Sequence, residues 1–538
     1  MLSAAIVIAG GAGIAAGTTD EVSDLYAAHN PRLWSAFAGG ASRVSAAWSG
    51  ARGPNSIATP RWVKNGDDIE TFTFYGQAGV VTSEDLVIAI GYLTGYGDHP
   101  GTPPSPRTHD TLVAFSRLDG SVVWSAPVPV AALNSWSTPA VDTINRTVIV
   151  AAGTSLTAIS LDDGSTSWTR DLGEPIVNAS PAVTHDLLYG NRVFITNHSF
   201  GGNGAGKLYC VNASPYHPIF NRYQPGELLW SVDLGGHTSG SSPAYDEGVV
   251  YVTTATGGSQ WDQGTVLAFR ADATSAPAPL WRYQHDDPSG FFSGPAVKGN
   301  AVYASTYSFH GGQYSASTVR LNASNGVRRW SVPTNRTEIT PVPLDGGLVL
   351  VSGGFASNTG LNPVFGSLPS LQLISENPTG THATRLWDSA MDTLQDFNNN
   401  GHWDPGEPYV SLGGWTNQPI VRRDENGRYI AYVGSAPAAG AGGFFAPSPS
   451  MWAVDLTKRP TQPGFAMQTA IACGGSPALT ERELYAVGAN GLHAFGAPSW
   501  STPRIMSQWA LRILPDLNGN GTLDGQDLWL ALQHASDE

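Results

Sequence analysis

A short unit of alternating apolar residues, closed by a turn and a tryptophan, recurs along this chain of 538 residues. One copy runs from Thr147 to Trp168 and reads TVIVAAGTSLTAISLDDGSTSW. Its pattern predicts two short strands, a turn at Asp163 and Gly164, and a third strand that ends on the tryptophan. Similar or looser copies end at Trp124, Trp230, Trp281, Trp330 and Trp387. Strand-and-turn repeats of about 40 to 60 residues are typical of a β-propeller, in which each repeat is one four-stranded blade.

Two counts give the number of blades. The second-strand runs number eight, from LVIAIGY to ELYAVGA, and so do the third-strand runs, from TLVAFS to GLHAFG. A proline also precedes the apolar run of seven units: Pro139, Pro181, Pro243, Pro295, Pro341, Pro419 and Pro477. We therefore predict an all-β, eight-bladed propeller of four-stranded antiparallel blades over residues 58–500. To close the ring, residues 60–64 are expected to form the outer strand of the last blade, and the stretch IMSQWALRI near the C-terminus is the competing candidate.

A family resemblance supports this fold. The segment WSGARGPN, which begins at Trp48, and the repeat endings AFSRLDGSVVW and AISLDDGSTSW resemble the entry motif and repeat signature of secreted propellers with PQQ-like repeats. The resemblance covers residues 48–500 and implies the fold of the quinoprotein alcohol dehydrogenases. For their chemistry it would require adjacent cysteines, a catalytic aspartate and a calcium site that touches the quinone. The two cysteines, Cys210 and Cys473, are far apart, so we expect no PQQ.

The composition of the chain limits the kinds of partner that it is expected to bind. Charged residues make up 13% of the chain and the formal net charge is −15. Nucleic-acid binding needs clustered lysine and arginine, and the sequence has no such cluster, so no nucleic-acid partner is expected. Acidic charge instead favours cations. Each cysteine is interpreted as a small buried residue, with a disulfide between the two left open.

Residues 2–17, LSAAIVIAGGAGIAAG, carry no charge and are followed by TTDE. This pattern predicts the apolar core of an export signal, although the usual basic residues before it are missing. The run is short for a membrane span, which needs about 20 apolar residues. A retained anchor or assembly helix, and an ordinary buried segment, are the open alternatives. We expect a secreted or cell-surface protein that touches a membrane only through residues 2–17, if they are retained.

The loop DFNNNGHWDPGE, within an insertion at residues 388–411, has the spacing of a calcium loop, D-x-[DN]-x-[DN]-G-x5-E. Its predicted oxygen donors are Asp396, Asn398, Asn400, the His402 carbonyl, Asp404 and Glu407. Gly401 stands at the sixth position, where such a loop turns sharply. Pro405 and Pro408 oppose a following helix, so we predict an isolated calcium loop that holds the insertion. The alternative is a metal-free turn held by Asx hydrogen bonds.

A second loop, DLNGNGTLDGQD, lies near the C-terminus and is followed by a helical pattern. Its predicted donors are Asp516, Asn518, Asn520, the Thr522 carbonyl, Asp524 and Asp527. The loop and helix resemble one half of a dockerin, the calcium-folded module that docks onto cohesin domains. A dockerin has two such repeats and this end has one, so calcium binding is predicted and cohesin binding is left open. A role in attachment or sorting at the cell surface is the alternative.

The third candidate site is the propeller mouth. Segments that lead into the innermost strands contribute Trp136, Asn178, His237, Phe291, Phe292, Glu338, Trp415 and Asn417. The tryptophans that end the repeats are interpreted as packing between blades rather than as a cofactor site.

These observations favour a non-catalytic scaffold over an enzyme. A propeller presents wide, loop-decorated faces, so binding through them needs no catalytic group. We expect an exported binding or structural scaffold stabilised by calcium, with a protein partner or self-assembly at the cell surface. The alternative is a calcium- and quinone-dependent dehydrogenase or a sugar-active enzyme that uses the central funnel.

The sequence divides into four predicted parts. They are an export signal or retained helix (1–19), a lead-in (20–57), the propeller (58–500) and a calcium module (501–538).

Overall fold

The structure is a computed structural model, and not every residue is described. The described residues are 34–46, 53–65, 72–74, 79–83, 85–93, 109–132, 135–184, 190–199, 204–256, 263–287, 289–308, 312–355, 367–404, 406–436, 448–488, 491–498, 500–501, 522–533 and 535–536. The predicted export segment at residues 2–17 and the stretch IMSQWALRI lie outside the described residues.

Eight antiparallel sheets follow one another along the chain, which confirms the predicted eight-bladed propeller. Two short strands, β1 (Trp62–Lys64) and β2 (Phe72–Phe74), come before the first complete blade. From the centre outward, blade 1 consists of β3 (Val81–Thr82), β4 (Leu86–Leu93), β5 (Asp110–Ser116) and β6 (Val122–Val128), and blade 2 of β7 (Ala140–Asp142), β8 (Thr147–Ala152), β9 (Ser155–Ser160) and β10 (Thr166–Asp171). Blade 3 consists of β11 (Ala182–Val183), β12 (Arg192–Thr196), β13 (Lys207–Asn212) and β14 (Leu228–Asp233), and blade 4 of β15 (Ala244–Asp246), β16 (Val249–Thr256), β17 (Gln263–Arg270) and β18 (Trp281–Gln284). In blade 1, β2 pairs with the far half of β4 as a fifth strand.

The second half of the ring repeats this order. Blades 5 to 8 consist of β19 (Ala296–Lys298), β20 (Ala301–Ser305), β21 (Ala316–Asn322) and β22 (Arg328–Thr334); β23 (Val342–Pro343), β24 (Leu348–Phe355), β25 (Ser367–Glu376) and β26 (Ala383–Asp388); β27 (Ile420–Arg423), β28 (Tyr429–Gly434), β29 (Ser450–Asp455) and β30 (Ala466–Ile471); and β31 (Ala478–Leu479), β32 (Leu484–Gly488), β33 (Gly491–Phe495) and β1. All seven marker prolines stand immediately before an innermost strand.

The ring closes as predicted, because the N-terminal strand β1 completes blade 8. It pairs antiparallel with β33, with Trp62 opposite Ala494 and Lys64 opposite Leu492. A strand from the start of the chain therefore joins three strands from near its end.

A buried ionic network spans the seam between blades 8 and 1. Glu483 is fully buried, and its Oε2 accepts hydrogen bonds from Arg117, on the β5–β6 turn of blade 1. Its Oε1 accepts hydrogen bonds from Arg61 at 2.9 Å and from the Tyr485 hydroxyl at 2.6 Å. Burial alone would lower the pKa of Arg117, but Glu483 and Tyr485 raise it above its ordinary value. The seam is therefore held by an ion pair withdrawn from water.

The repeat-ending tryptophans lie between neighbouring blades, as the sequence predicted. The Trp281 side chain belongs to the core shared by blades 4 and 5, and its Nε1 donates a hydrogen bond to the Ala323 carbonyl of blade 5 at 2.8 Å. The equivalent Trp124 donates to the Leu161 carbonyl of blade 2 at 3.0 Å. These two indoles thus join their own blades to the outer turns of the next ones.

The outer turn needs a glycine because its backbone packs directly against the tryptophan ring. Gly326 has a φ of +70°, and a Cβ atom there would lie 2.5 Å from Cε3 of Trp281. We expect Gly326→Ala to lower the free energy of unfolding by about 2 to 4 kcal/mol, through backbone strain plus overpacking. Gly173 is the control: its φ is +75°, but a Cβ there would have nothing within 4 Å. Gly173→Ala should cost only the strain, about 1 to 2 kcal/mol. Equal urea midpoints for the two variants would contradict this.

The chain alternates between the two faces of the disc. Because each blade is a simple antiparallel meander, its β-turns between first and second and between third and fourth strands share one face. The connections between second and third strands, and from one blade to the next, share the other face. We call the latter the mouth face and the former the opposite face.

The central channel contains residues 34–46 of the same chain, which we call the collar. The collar includes a short 3-10 helix at Phe37–Gly39 and buries Trp34, Ala36, Phe37 and Ala38. Five collar carbonyls accept hydrogen bonds of 2.7 to 3.0 Å from innermost strands of five blades. The pairs are Trp34–Thr82, Ser35–Val141, Ala41–Tyr245, Ser42–Val297 and Ser45–Val421. The collar therefore follows the ring in the order of blades 1, 2, 4, 5 and 7, and pairs backbone groups on the inner edges of these blades.

Arg43 is the charged residue at the centre of this collar. It is fully buried, and its guanidinium donates four hydrogen bonds of 2.8 to 3.0 Å to backbone carbonyls. The acceptors are the carbonyls of Phe37, Ser180, Pro181 and Pro243. Among the described residues no carboxylate forms an ion pair with Arg43, and burial lowers its pKa to about 9.

The remaining described elements are not blade strands. A second 3-10 helix spans Asp345–Gly347, in the turn between β23 and β24. Near the C-terminus, α1 (Gly525–Gln533) is followed by β35 (Ala535–Ser536), which pairs in parallel with β34 (Trp500–Ser501). Cys210 and Cys473 are both buried and unpaired, so the disulfide alternative is wrong. Among the described helices, none is long and apolar enough to span a membrane.

Candidate functional site

Aromatic rings close the centre of the mouth. Trp136, Phe292, Tyr307 and Trp415 pack together with Ala255, and each of the five is more than nine-tenths buried. The Trp136 and Trp415 rings meet edge to face with centroids 6.3 Å apart, and the Phe292 and Tyr307 rings meet in the same way at 5.4 Å. The Tyr307 and Trp415 centroids are 6.0 Å apart. We call this group the mouth cluster. Its four rings come from mouth-face connections of blades 1, 4, 5 and 6 and meet one another across the ring.

Glu338 lies beside the mouth cluster. Its backbone N–H donates to the Trp415 carbonyl at 2.8 Å, and its charge acts on Tyr307. Part of the Glu338 side chain reaches solvent, but its Oε2 atom is buried and has no hydrogen-bond partner among the described residues. Burial raises the pKa of Glu338 to about 8. Burial therefore favours the protonated form of this carboxyl group.

The sequence pattern named three of the four rings of the cluster and missed Tyr307 and Arg336. Tyr307 comes from the connection after β20, and such second-to-third strand connections also reach the mouth face. Arg336 precedes Glu338 by two residues, and its guanidinium carbon is 5.8 Å from the Tyr307 ring centroid. Burial lowers the pKa of Arg336, while burial raises that of Tyr307. Searching the second-to-third strand connections as well would have found Tyr307, whereas Arg336 lies in the same connection as Glu338 and no pattern marks it.

The other predicted mouth residues do structural work. Phe291 packs in the core between blades 4 and 5 rather than in the mouth cluster. Asn178 has a φ of +60°, and its Oδ1 accepts the backbone N–H of Trp136 at 3.3 Å. His237 Nδ1 lies 2.9 Å from the Ser199 carbonyl. Asn417 Oδ1 accepts the Ser448 hydroxyl at 2.6 Å. Three of these four polar or aromatic groups thus hold mouth-face loops together.

The predicted insertion loop at residues 396–407 lies on the mouth face, in the connection from blade 6 to blade 7. The Asp396 carboxylate accepts the backbone N–H groups of Asn400 at 3.2 Å and Gly401 at 2.7 Å. The Glu407 carboxylate, at the other end, accepts the N–H groups of Phe397 and Asp404, both at 2.8 Å. Gly401 has a φ of +76°, as its place in the loop pattern requires.

Three of the predicted donors of this loop converge. The amide groups of Asn398 and Asn400 both lie 2.7 Å from Oδ2 of Asp404. The oxygen and nitrogen of such an amide exchange places by a half turn of the side chain. The two amide oxygens here accept the backbone N–H groups of Asn400 at 3.1 Å and His402 at 2.7 Å. A half turn would exchange these hydrogen bonds for a group of two amide oxygens and the Asp404 carboxylate, which is the donor chemistry that calcium prefers. The residue types of the loop are therefore those of a calcium site, and the hydrogen bonds present are those of an Asx turn.

Two observations limit how far the structure tests the predicted calcium sites. Among the described residues, no three histidine, cysteine, aspartate or glutamate side chains form a metal-binding group. Of the second predicted loop, Asp516, Asn518, Asn520 and the side chain of Asp527 lie outside the described residues. Thr522 and Asp524 are described, and the Asp524 Oδ1 accepts the Gln526 N–H at 2.8 Å where α1 begins. Calcium binding at both loops stays a prediction, and the helix expected after the second loop is present.

Calcium removal is expected to lower the melting temperature. An ion that binds only the folded state at 100 times its dissociation constant adds about 2.7 kcal/mol of stability. Glu407→Gln, which withdraws a carboxylate but keeps the side-chain shape, should reduce the calcium-dependent shift and leave the part due to the C-terminal loop. The measurement is thermal unfolding with chelator and with excess calcium, for the native chain and the variant. Identical melting curves with and without calcium would mean that both loops are metal-free turns.

The eight four-stranded blades, the tryptophans between them and the mouth on one face define the class of PQQ-like propellers. A family model described as outer membrane protein assembly factor BamB, of PQQ_2 repeats, matches residues 24–214 and 220–400. Because this match covers more than half of the chain, the protein belongs to that family. Among curated proteins, none matches this sequence.

The solved structures to which this chain is similar are distant in sequence. A europium-containing methanol dehydrogenase is 12% identical, with a TM-score of 0.55, over 96% of this chain and 97% of that one. BamB from Moraxella catarrhalis is 12% identical, with a TM-score of 0.45, over 82% of this chain and 97% of that one. A computationally designed protein, Ika8, is 10% identical, with a TM-score of 0.43, over 79% of this chain and 98% of that one. At these identities the likeness to the dehydrogenase establishes the fold alone.

Proposed function

We propose that this protein is an exported, non-catalytic scaffold that binds a partner protein through its mouth face and is stabilised by calcium. The observation that carries this proposal is the packing of the axis. The collar pairs with the inner edges of five blades and the mouth cluster packs across the mouth face, so the surface we expect a partner to use is the broad ring of loops around them. Interfaces of this kind need area and anchoring side chains rather than a cavity.

The family supports two parts of the proposal, the export of the protein and its binding of a partner protein. Its description names an outer membrane protein assembly factor, which is a role in handling other proteins outside the cytoplasm. The uncharged run at residues 2–17 suits export to the same side of the membrane. The formal charge of −15 again argues against nucleic acid as the partner.

The insertion loop supplies the anchor for a partner. Phe397 is 69% exposed on the mouth face, and its backbone N–H is bound by the Glu407 carboxylate. An exposed aromatic side chain on a backbone already held in place loses little entropy on binding, which is typical of interface hot spots. We infer that the partner offers an apolar pocket to Phe397, and that calcium in the loop fixes the position of this side chain.

Site-specific photo-crosslinking in the native host tests this face. A photoreactive phenylalanine at position 397 should give a discrete crosslinked protein, and the yield should fall when calcium is chelated. The control is the same residue at position 219. Ile219 is 73% exposed on the opposite face, in the turn between β13 and β14. Crosslinking from position 219 and none from 397 would overturn the mouth-face proposal.

A second function stays open because Glu338 offers a buried carboxyl group beside Trp415. A calcium- and quinone-dependent dehydrogenase, or a sugar-active enzyme, would use such a group at the mouth. A quinone would have to displace the mouth cluster, whose rings are in contact. We expect no dye-linked alcohol oxidation after incubation with calcium and pyrroloquinoline quinone. Steady turnover that Glu338→Gln abolishes would overturn the scaffold proposal.

A further inference from the structure

The channel has the properties of a peptide-binding site. Its five N–H donors to the collar come from equivalent places, since in blades 2, 4, 5 and 7 the donor is the second residue after the marker proline. All five acceptors in the collar are backbone carbonyls. Recognition of this type follows the path of a peptide backbone, as when an extended peptide pairs with an exposed strand edge.

Side chains add selectivity to this backbone pairing. Arg43 reaches carbonyl groups of blades 3 and 4 that the collar backbone does not use. The Ser45 hydroxyl donates to the Pro419 carbonyl of blade 7 at 2.5 Å. Trp34 packs in the core shared by blades 8 and 1. A peptide without an arginine at the Arg43 position would leave buried carbonyls of two blades unpaired.

At its C-terminal end, the collar is joined to the ring by a short segment of the chain. Ala46 pairs with Val421 of blade 7, and Gly53 donates to the Glu481 carbonyl of blade 8, on the opposite face. Residues 47–52 connect these two points, and β1 then completes blade 8. Withdrawing the collar therefore breaks no pairing within any blade.

We propose that the channel is a site for the collar peptide that accepts residues 34–46 of a second copy of this chain as well as its own. The contacts are the same in both cases, so the exchanged and unexchanged forms differ mainly in the entropy of linking two copies. A short tether gives its own collar an effective concentration on the order of millimolar. Exchange should therefore be seen when chains fold together at high concentration, before each channel has taken its own collar.

A disulfide between copies tests this. Ser42→Cys is placed in one copy and Val297→Cys in another, because the Val297 N–H donates to the Ser42 carbonyl at 2.9 Å and the two residues are therefore neighbours where the collar meets blade 5. Co-refolding and oxidation should give a covalent dimer between the two copies. The double variant should give the bond within one chain. The native cysteines are buried, and Ile219→Cys with Val297→Cys controls for random pairing.

The result has clear alternatives. A bond in the double variant without any bond between the two single variants, at the highest soluble concentration, would overturn exchange. A dimer yield equal to that of the Ile219 control would also overturn it. If either single variant fails to fold, the pair Ala41→Cys and Tyr245→Cys repeats the test at blade 4, where the Tyr245 N–H donates to the Ala41 carbonyl at 2.8 Å.

A labelled peptide gives an independent readout. A protease site placed within residues 47–52 of the full chain releases the collar from its tether after cleavage. A fluorescent peptide of residues 34–46 should then bind the cut chain, and its Arg43→Ala version should bind at least about tenfold more weakly. Lack of binding to the folded, cut chain would contradict the proposal. The mouth-face crosslink does not depend on this outcome, so the scaffold function and collar exchange can fail separately.

Discussion

Replacing Glu483 by glutamine is expected to lower the free energy of unfolding by about 3 to 5 kcal/mol, among the largest effects of any single substitution in the chain. Glu483 is fully buried at the only seam where the two ends of the propeller meet. Glutamine keeps the shape but removes the charge that compensates Arg117, which is itself 3% exposed, and Arg61, which is 20% exposed. Both guanidinium groups would then lose the carboxylate that binds them at this buried seam. The measurement is the urea unfolding midpoint, followed by intrinsic fluorescence.

The control for this prediction is an ion pair in water. Asp162 and Arg146 form a salt bridge whose side chains are 60% and 59% exposed. Asp162→Asn should change stability by less than about 1 kcal/mol, because exposed pairs contribute little. If Glu483→Gln were as mild as this control, closure of the ring would have to depend on β1 pairing and on packing alone. Arg117→Met tests the same seam from the other side, and with Glu483→Leu it removes both charges together. The double variant should be less damaging than Glu483→Gln alone.

The blades were predictable because each one is specified locally. A unit such as TVRLNASNGVRRW carries its own strand alternation, its turn at Asn325 and Gly326, and its closing Trp330. Only the neighbouring blade is needed to complete the core, so eight copies of one local pattern determine the fold. Closure by residues 60–64 was predictable for a related reason. A ring leaves one outer strand unfilled, and that stretch ends in the same tryptophan-bearing pattern.

The axis was not predictable, because it depends on residues that meet only after all eight blades are in place. Arg43 lies in a stretch rich in glycine, alanine and serine, and its acceptors are carbonyls more than 130 residues away, apart from that of Phe37. Tyr307 and Glu338 are separated by two strands, β21 and β22, but meet at the same mouth cluster. No periodicity marks such contacts. The calcium loops are the opposite case, since their donors follow one another within twelve residues.

Glu338 should make the protein less stable as the pH rises from about 4.5 to about 8. In the unfolded chain the carboxyl ionises near its ordinary pKa of 4.5, whereas in the folded protein burial raises the pKa to about 8. Between these values the unfolded state binds fewer protons, so stability falls with pH. Each pH unit between the two pKa values lowers the free energy of unfolding by 1.36 kcal/mol, which gives a loss of about 3 kcal/mol at pH 7. Above about pH 8 both states are ionised and the loss no longer grows.

Glu338→Gln removes this titration while keeping the side-chain size. The variant and the native chain should be about equally stable near pH 4.5, and the variant should be about 3 kcal/mol more stable at pH 7. The matched control is Glu425→Gln, because Glu425 is exposed on a turn of blade 7, and its stability difference from the native chain should not follow this pH course. The measurement is urea unfolding of the three proteins from pH 4.5 to 9. A Glu338→Gln difference that stays constant over this range would mean that Oε2 is solvated, and that the mouth is open to water rather than sealed by its aromatic rings.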